Sequence, residues 1–328
     1  MKFLKALAVA LAAALLACCS AQGNEESTTD SLADSADFDS SDLNDDSELY
    51  DTSAISDAYL SGEADALSDF DLAIYNKVCE IFNEVVSEDM SDYEKELALH
   101  DWLIENCTYD TGSLRAIPRP SENCENPYGA LIDGEAICSG YTSSFKLFMD
   151  MLEIECMVIQ STDSDGDEHA WNAVRLDRNW YYVDCTWDDP VPDEDGRAVT
   201  HKYFNISYEE MAQSHVLSNG SPQTQSVEFS FYNQEAASVD SFEEIDECIA
   251  LSAEKNQIET VLLPDESFGI TLNETDLPDD YYYPSDEGYD DFEAAVGEAV
   301  QDAGFSSYFF QRKQTEQGIA LVVRFVYD

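Results

Sequence analysis

Basic residues are scarce in this chain: 15 Lys and Arg stand against 70 Asp and Glu, a formal charge of −55 over 328 residues. A field of that sign repels phosphate backbones and anionic lipid surfaces, so nucleic acid is excluded as a partner and neutral or cationic substrates are favoured. No CxxC pair or Cys/His cluster has the spacing of a structural zinc site, and no metal is expected. The C-terminal hundred residues hold no glycine-rich phosphate loop and no recognisable nucleophile, and no cofactor is expected. Long apolar runs are also missing. The one candidate, Ala6 to Ala17, is too short to span a bilayer.

That run follows Lys2 and Lys5 and gives way at once to polar sequence, the pattern of an export signal over residues 1–17. Its end, Leu15-Leu16-Ala17-Cys18, resembles the bacterial lipobox, in which the cysteine is diacylated and becomes the new N-terminus. The resemblance implies an extracytoplasmic protein held to the membrane by lipid on Cys18. Cleavage near Ser20-Ala21 and a retained anchor helix are the alternatives. From Asn24 to about Asp71 there is no Lys or Arg, and Ser, Asp, Glu and Ala dominate. Residues 18–70 are therefore expected to be a disordered, self-repelling acidic tether.

Of nine cysteines, seven remain once Cys18 and a candidate nucleophile are set aside, and an odd number cannot be fully paired. Cys107 and Cys124 flank a loop and could bridge it. Cys79, Cys156 and Cys185 sit in apolar patterns that suit buried free thiols.

Order is expected from about residue 71. Ile74, Val78, Ile81, Phe82 and Val85 recur at helical spacing, and Ser91-Asp-Tyr-Glu94 reads as a capping box opening a second helix. A third helix begins near Cys138 and buries Phe145, Leu147, Phe148 and Leu152. Strands follow near 155–161, 169–176 and 180–186. Residues 71–220 form one domain, 218–225 read as a linker, and 226–328 form a small α/β accessory module. The module is expected to open with a strand near 227–232.

Cys138 at a helix start is where a thiol gains thiolate character, although an isolated cysteine is more often a packing residue. His169 and Asp184 change the weighting. If Asp177-Arg178 forms a two-residue hairpin turn, Leu176 faces Asn179 and Trp171 faces Asp184. His169 and Asp184 are then diagonal neighbours on one sheet face. Asp184 can orient the imidazole while its other nitrogen takes the thiol proton. The same three residues read as metal ligands lack a fourth ligand.

The segments Ala98-Leu-His-Asp-Trp-Leu-Ile, Tyr128-Gly-Ala-Leu-Ile-Asp-Gly-Glu-Ala-Ile-Cys138-Ser-Gly-Tyr141, His169-Ala-Trp-Asn and Trp180-Tyr-Tyr-Val-Asp184-Cys-Thr-Trp187-Asp-Asp-Pro190 resemble the bacterial transglutaminase-like superfamily over roughly residues 75–217. The resemblance implies an α+β fold with a papain-like core, a Cys helix packed on an antiparallel sheet. It also implies Cys138 as nucleophile, His169 as base and Asp184 as orienter, acting on amide or peptide carbonyls by hydrolysis or amine transfer. The backbone N–H of Cys138 is the first candidate oxyanion donor and Tyr128 the second, with core stacking as the other role for Tyr128. Tyr141, Trp171 and Trp187 are candidates to wall the cleft, or to pack the core. The partner is then a protein or peptide, cell-wall peptide included. The rival reading is a catalytically silent binding module of the cell envelope.

Overall fold

Ser91 and Glu94 form the expected capping box in the computed structural model, which describes residues 49–112, 122–189, 199–218, 220–255, 257–270 and 289–326. The box opens helix α3 (Asp92–Asn106), whose Leu99, Trp102, Leu103 and Ile104 are buried. Helix α2 (Asp69–Val85) precedes it. Its N-cap is Ser68, whose hydroxyl accepts the Asp71 N–H, and Ile74, Val78, Ile81 and Phe82 line its inner face.

Order begins earlier than the composition suggests. Helix α1 (Ser53–Ser61) lies inside the segment expected to be a tether, and it buries Ile55 and Ala58 while Tyr59 packs edge-on to Phe82. Three apolar side chains at i, i+3 and i+4 are enough to dock a short helix, and the surrounding acids simply face water. The tether reading therefore fails for residues 49–70. The signal segment, Cys18 and the rest of the tether lie outside the described residues.

Beyond α3, strand β1 (Thr108–Tyr109) pairs in parallel with β2 (Glu135–Ala136) after a π-helical turn, Gly129–Asp133. Helix α4 (Cys138–Met151) follows directly and packs on an antiparallel sheet of β3 (Cys156–Thr162), β4 (Glu168–Leu176) and β5 (Asn179–Val183), in that order. Leu176 pairs with Asn179 as the two-residue turn requires, and Asp177 adopts φ 53°, a left-handed conformation aspartate tolerates. The third strand stops at Val183. Residues expected to continue it instead form the short helix α5 (Cys185–Asp188), because the Asp184 carboxylate caps the N–H groups of Thr186 and Trp187. Helix α6 (Tyr208–Met211) closes this half.

The C-terminal residues contain α7 (Phe231–Gln234), β6 (Ala237–Val239), α8 (Phe242–Glu254), β7 (Glu259–Pro264), α9 (Tyr289–Asp302), β8 (Ser307–Thr315) and β9 (Gly318–Val326). The strand expected at 227–232 is a turn leading into α7, since Phe231 and Tyr232 are buried by packing and not by sheet pairing. The sheet order is β6-β7-β9-β8, with β6 and β7 parallel and the other pairs antiparallel.

This sheet is covered on both faces. On β7 and β9, Leu262, Leu321, Val323 and Phe325 join α8 and α9 in one core, while Val261, Ala320 and Val322 join the core built around α4. The alternation follows from the period of two along a strand. Of the residues expected to form a linker, 220–225 are correspondingly not a free hinge. Ser221 and Thr224 are buried, the Tyr182 hydroxyl donates to the Pro222 carbonyl at 2.7 Å, and Tyr208 N–H donates to the Thr224 carbonyl. All described residues belong to one compact unit, so the module is built into the first half and not appended to it.

Candidate active site

Cys138 is the first residue of α4, after an extended Ile137 that offers no side-chain cap. The first-turn N–H groups of a helix have no intrahelical acceptor, and their partial positive charge favours an anion there. The backbone around this tip is tightly packed. Ile137 N–H donates to the Cys124 carbonyl at 2.9 Å, and a Cβ on Gly140 would lie 2.6 Å from that oxygen and 2.7 Å from the Ala136 Cβ. Gly140→Ala is therefore expected to displace the helix tip, costing ~1–3 kcal/mol in urea unfolding and slowing alkylation of Cys138. Native stability and native alkylation in that variant would show that the tip does not need the close approach.

His169, nearly buried on β4, donates from Nε2 to Oδ2 of Asp184 at 2.7 Å, and its ring is hydrogen-bonded to Cys138 as well. Nδ1 is the nitrogen left for the sulfur. Burial alone would pull the imidazole pKa down. The charge of Asp184 and its hydrogen bond, with Cys138, outweigh burial and raise the pKa to about 10. Burial would likewise push Asp184 up, but His169 and a second histidine hold it well below the usual carboxylate range. The site is thus an imidazolium fixed by a carboxylate and set against sulfur at a helix tip, the electrostatic setting a thiolate needs.

Residues 80–185 match the family model of the transglutaminase-like superfamily. This stretch is a transglutaminase-like domain. Human kyphoscoliosis peptidase is 27% identical over 143 residues, 40% of this chain and 20% of the relative, and the mouse protein is 26% identical over 136 residues, 38% and 20%. The chain thus spans about a fifth of the length of these curated relatives. A solved structure of a TGase superposes with a TM-score of 0.33 at 17% identity, covering 39% of this chain and 36% of that one. The helix–sheet architecture of the transglutaminase-like domain is the α+β, papain-like arrangement expected of it.

The residues expected to wall the cleft divide. Trp187 is half-buried, with its ring centroid 5.5 Å from that of His169, and borders the site. Trp171 and Tyr141 are fully buried and cannot meet a substrate: Trp171 packs behind His169, and the Tyr141 hydroxyl donates to Asp189. Tyr128 takes the stacking role that was its other expectation: its ring lies on Phe70 at 4.8 Å, and its backbone N–H donates to Asn126 Oδ1.

Two further residues at the site carry no signal in the sequence. Tyr109 reaches the site because β1 pairs with β2 in the register Tyr109↔Ala136, two residues before Cys138. Burial first, then the charges of Cys138 and Asp184, push its phenol well above the usual range, so it remains a hydrogen-bond donor. His215 donates from Nε2 to the same Asp184 oxygen at 3.0 Å. A two-residue strand and a lone histidine in Gln-Ser-His-Val carry no periodic signal.

His169, Asp184 and His215 are close enough to hold a metal ion, as are His100, Asp101 and His201. In both groups the N···O separations, 2.7–3.0 Å, are those of hydrogen bonds. Cys107 and Cys124, candidates for a bridge, are buried thiols not joined by a disulfide, and burial pushes the Cys107 thiol up to about 12. Cys79, Cys156 and Cys185 are free thiols too.

Proposed function

We propose that the protein is a thiol enzyme that cleaves or transfers acyl groups at amide or peptide carbonyls, with Cys138 as nucleophile, His169 as proton carrier and Asp184 as its orienter. The observation that carries this reading is the 2.7 Å bond from His169 Nε2 to Asp184, in a ring whose charged form is also favoured by Cys138. The thiolate adds to the carbonyl carbon, forming a C–S bond and an oxyanion. The Cys138 backbone N–H and the Tyr109 hydroxyl are the donors assigned to that oxyanion in this reading. Collapse breaks the C–N bond as His169 gives its proton to the leaving amine, and a thioester remains. Water then releases an acid, or a second amine takes the acyl group; the imidazole accepts the incoming proton in either case.

The name of the human relative, a peptidase, favours water as acceptor. The acidic surface favours cationic or neutral substrates, a lysine amine included. The proposed setting is extracytoplasmic, with Cys18 lipidated and the enzyme held near cell-wall peptides and surface proteins. Among the described residues no helix is long and apolar enough to cross a membrane.

The test is incubation of the full chain without its leader with casein plus a labelled amine, and separately with peptidoglycan. Label fixed on casein identifies transfer, and new termini without label identify hydrolysis. No product in either mixture, with Cys138 no more reactive than the other thiols, would leave a binding module of the cell envelope.

A further inference from the structure

Asp184 sits at 1% exposure with every acceptor position filled. Its Oδ1 accepts the N–H groups of Thr186 and Trp187 at 3.0 and 3.2 Å, and its Oδ2 accepts both His169 and His215, at 2.7 and 3.0 Å. A carboxylate serving a base needs one of those bonds, and the helix cap explains two more. The bond to His215 is unexplained by the three-residue mechanism.

His215 is itself firmly held. It is buried, its Nδ1 pairs with the Ser214 hydroxyl at 2.9 Å, and its ring lies 4.4–5.5 Å, centroid to centroid, from Trp187, Trp171 and Tyr203. The backbone of that segment is tied to the site's own sheet through the Asp163↔His215 bridge and the Val216 N–H to Thr162 carbonyl bond. Since a carboxylate only accepts, Nε2 of His215 must carry hydrogen, which leaves Nδ1 to the Ser214 hydroxyl. A hydroxyl serves there as donor or acceptor, so the contact with Asp184 persists in either state of the ring.

We infer that His215 is a positioning residue for the proposed triad, a second imidazole that shares the Asp184 carboxylate with His169 and so moderates how strongly His169 holds its proton. A donor on Oδ2 draws off part of the charge that would otherwise bear on His169 alone. The other titratable groups that feel this pair are Asp163 beside His169, and Tyr109, Tyr203 and Cys185 beside Asp184. Asp163 acts through its charge, whereas burial keeps Tyr109, Tyr203 and Cys185 protonated and neutral. A base that grips its proton too tightly gives it up slowly to the leaving amine, so moderation serves the acid half of the reaction.

The inference rests on the thiol-enzyme reading, and the experiment separates the two. The chain has four histidines, so ring ¹⁵N–¹H spectra of the full-length fold can be assigned by single substitutions. His215→Phe, which keeps an aromatic ring in the cage without a donor, is expected to raise the His169 titration midpoint by ~1 pH unit, the worth of one hydrogen bond to a charged group. The acid limb of Cys138 alkylation by iodoacetamide should move to lower pH by a similar amount. His215→Gln, which returns an N–H donor, should restore both. Superimposable profiles for native and Phe variants would overturn the inference. So would Gln and Phe variants that lose His169-dependent alkylation alike, since His215 would then only hold the fold. Should the Phe variant not fold, Ser214→Ala carries the test, with a smaller shift of the same sign expected and none overturning it. Slow, His169-independent alkylation in the native protein would instead sink the thiol-enzyme reading, while the His169 midpoint still reports on His215.

Discussion

Alanine at His169 is expected to slow alkylation of Cys138 at pH 6 by about two orders of magnitude or more, with the other thiols unaffected. The imidazolium is what stabilises negative charge on sulfur at that pH: of the other groups named at the site, Asp184 and Tyr109 bring no positive charge, and His215 is bound to Asp184 and not to the sulfur. Mass spectrometry of peptides after a timed pulse of iodoacetamide separates Cys138 from Cys107, Cys124, Cys156 and Cys185, all buried. In turnover, removing either His169 or Cys138 should cost ~10³-fold or more, and removing both little beyond that, because the two act as one unit. Equal alkylation rates in native and variant protein would mean that the ring does not serve the sulfur.

The second large effect lies where the two halves of the chain share their core. His201 Nδ1 donates to Oε1 of Glu259 at 3.1 Å, and its Nε2 lies 2.9 Å from Asp101 on α3, with Phe231 stacked on its ring at 3.6 Å. Glu259 in turn pairs with Arg324 at 3.0 Å, and Arg324 donates to the Tyr232 hydroxyl at 2.8 Å. Glu259 is fully buried, so Glu259→Leu leaves two cations without their shared partner and should cost ~3–5 kcal/mol in urea denaturation. Desolvation would lower the His201 pKa, but Asp101 and Glu259 raise it to about 10. A raised folded-state value means that this stability is complete below about pH 6.5 and is lost as pH climbs toward 10. Asp101 works in the opposite sense. His201 and His100 outweigh its burial and lower its pKa, so its share is present above about pH 4 and fades on acidification. Stability should therefore be greatest between those limits, and the Leu variant should lose less than native protein on going from pH 7 to pH 10. A parallel alkaline decline in both would show that His201 is not the group responsible.

Much of the first half is readable from local pattern. The apolar residues of α2 and α3 repeat at helical spacing behind recognisable caps, and Leu176-Asp-Arg-Asn179 announces its hairpin. The register of that hairpin is what joins His169 to Asp184. What stays hidden depends on distance along the chain or on signals too short to read. Helix α1 hides because its three inward residues are outnumbered by acids. Tyr109 belongs to a strand of two residues. His215 meets Asp184 across 31 residues, and His201 meets Asp101 across 100. Burial of Tyr141 and Trp171 was likewise undecidable from composition, since an aromatic beside a catalytic motif suits cleft and core equally. The shared core escaped for a related reason: the unbroken apolar run Ile319–Val323 in β9 says that both faces are covered, but not by what.

The tight turn at Asp177 also works as a ruler. Fifteen positions separate His169 from Asp184, and the pairing of Leu176 with Asn179 divides that interval into two arms that must match. One residue inserted between them would swing the carboxylate to the opposite side of the sheet. Inserted instead at the Asp163–Asp167 end, before β4 begins, the same residue would leave the spacing intact. Length changes in descendants of this chain should therefore be tolerated at one end of β4 and forbidden at the other, without any change in the reactive residues themselves.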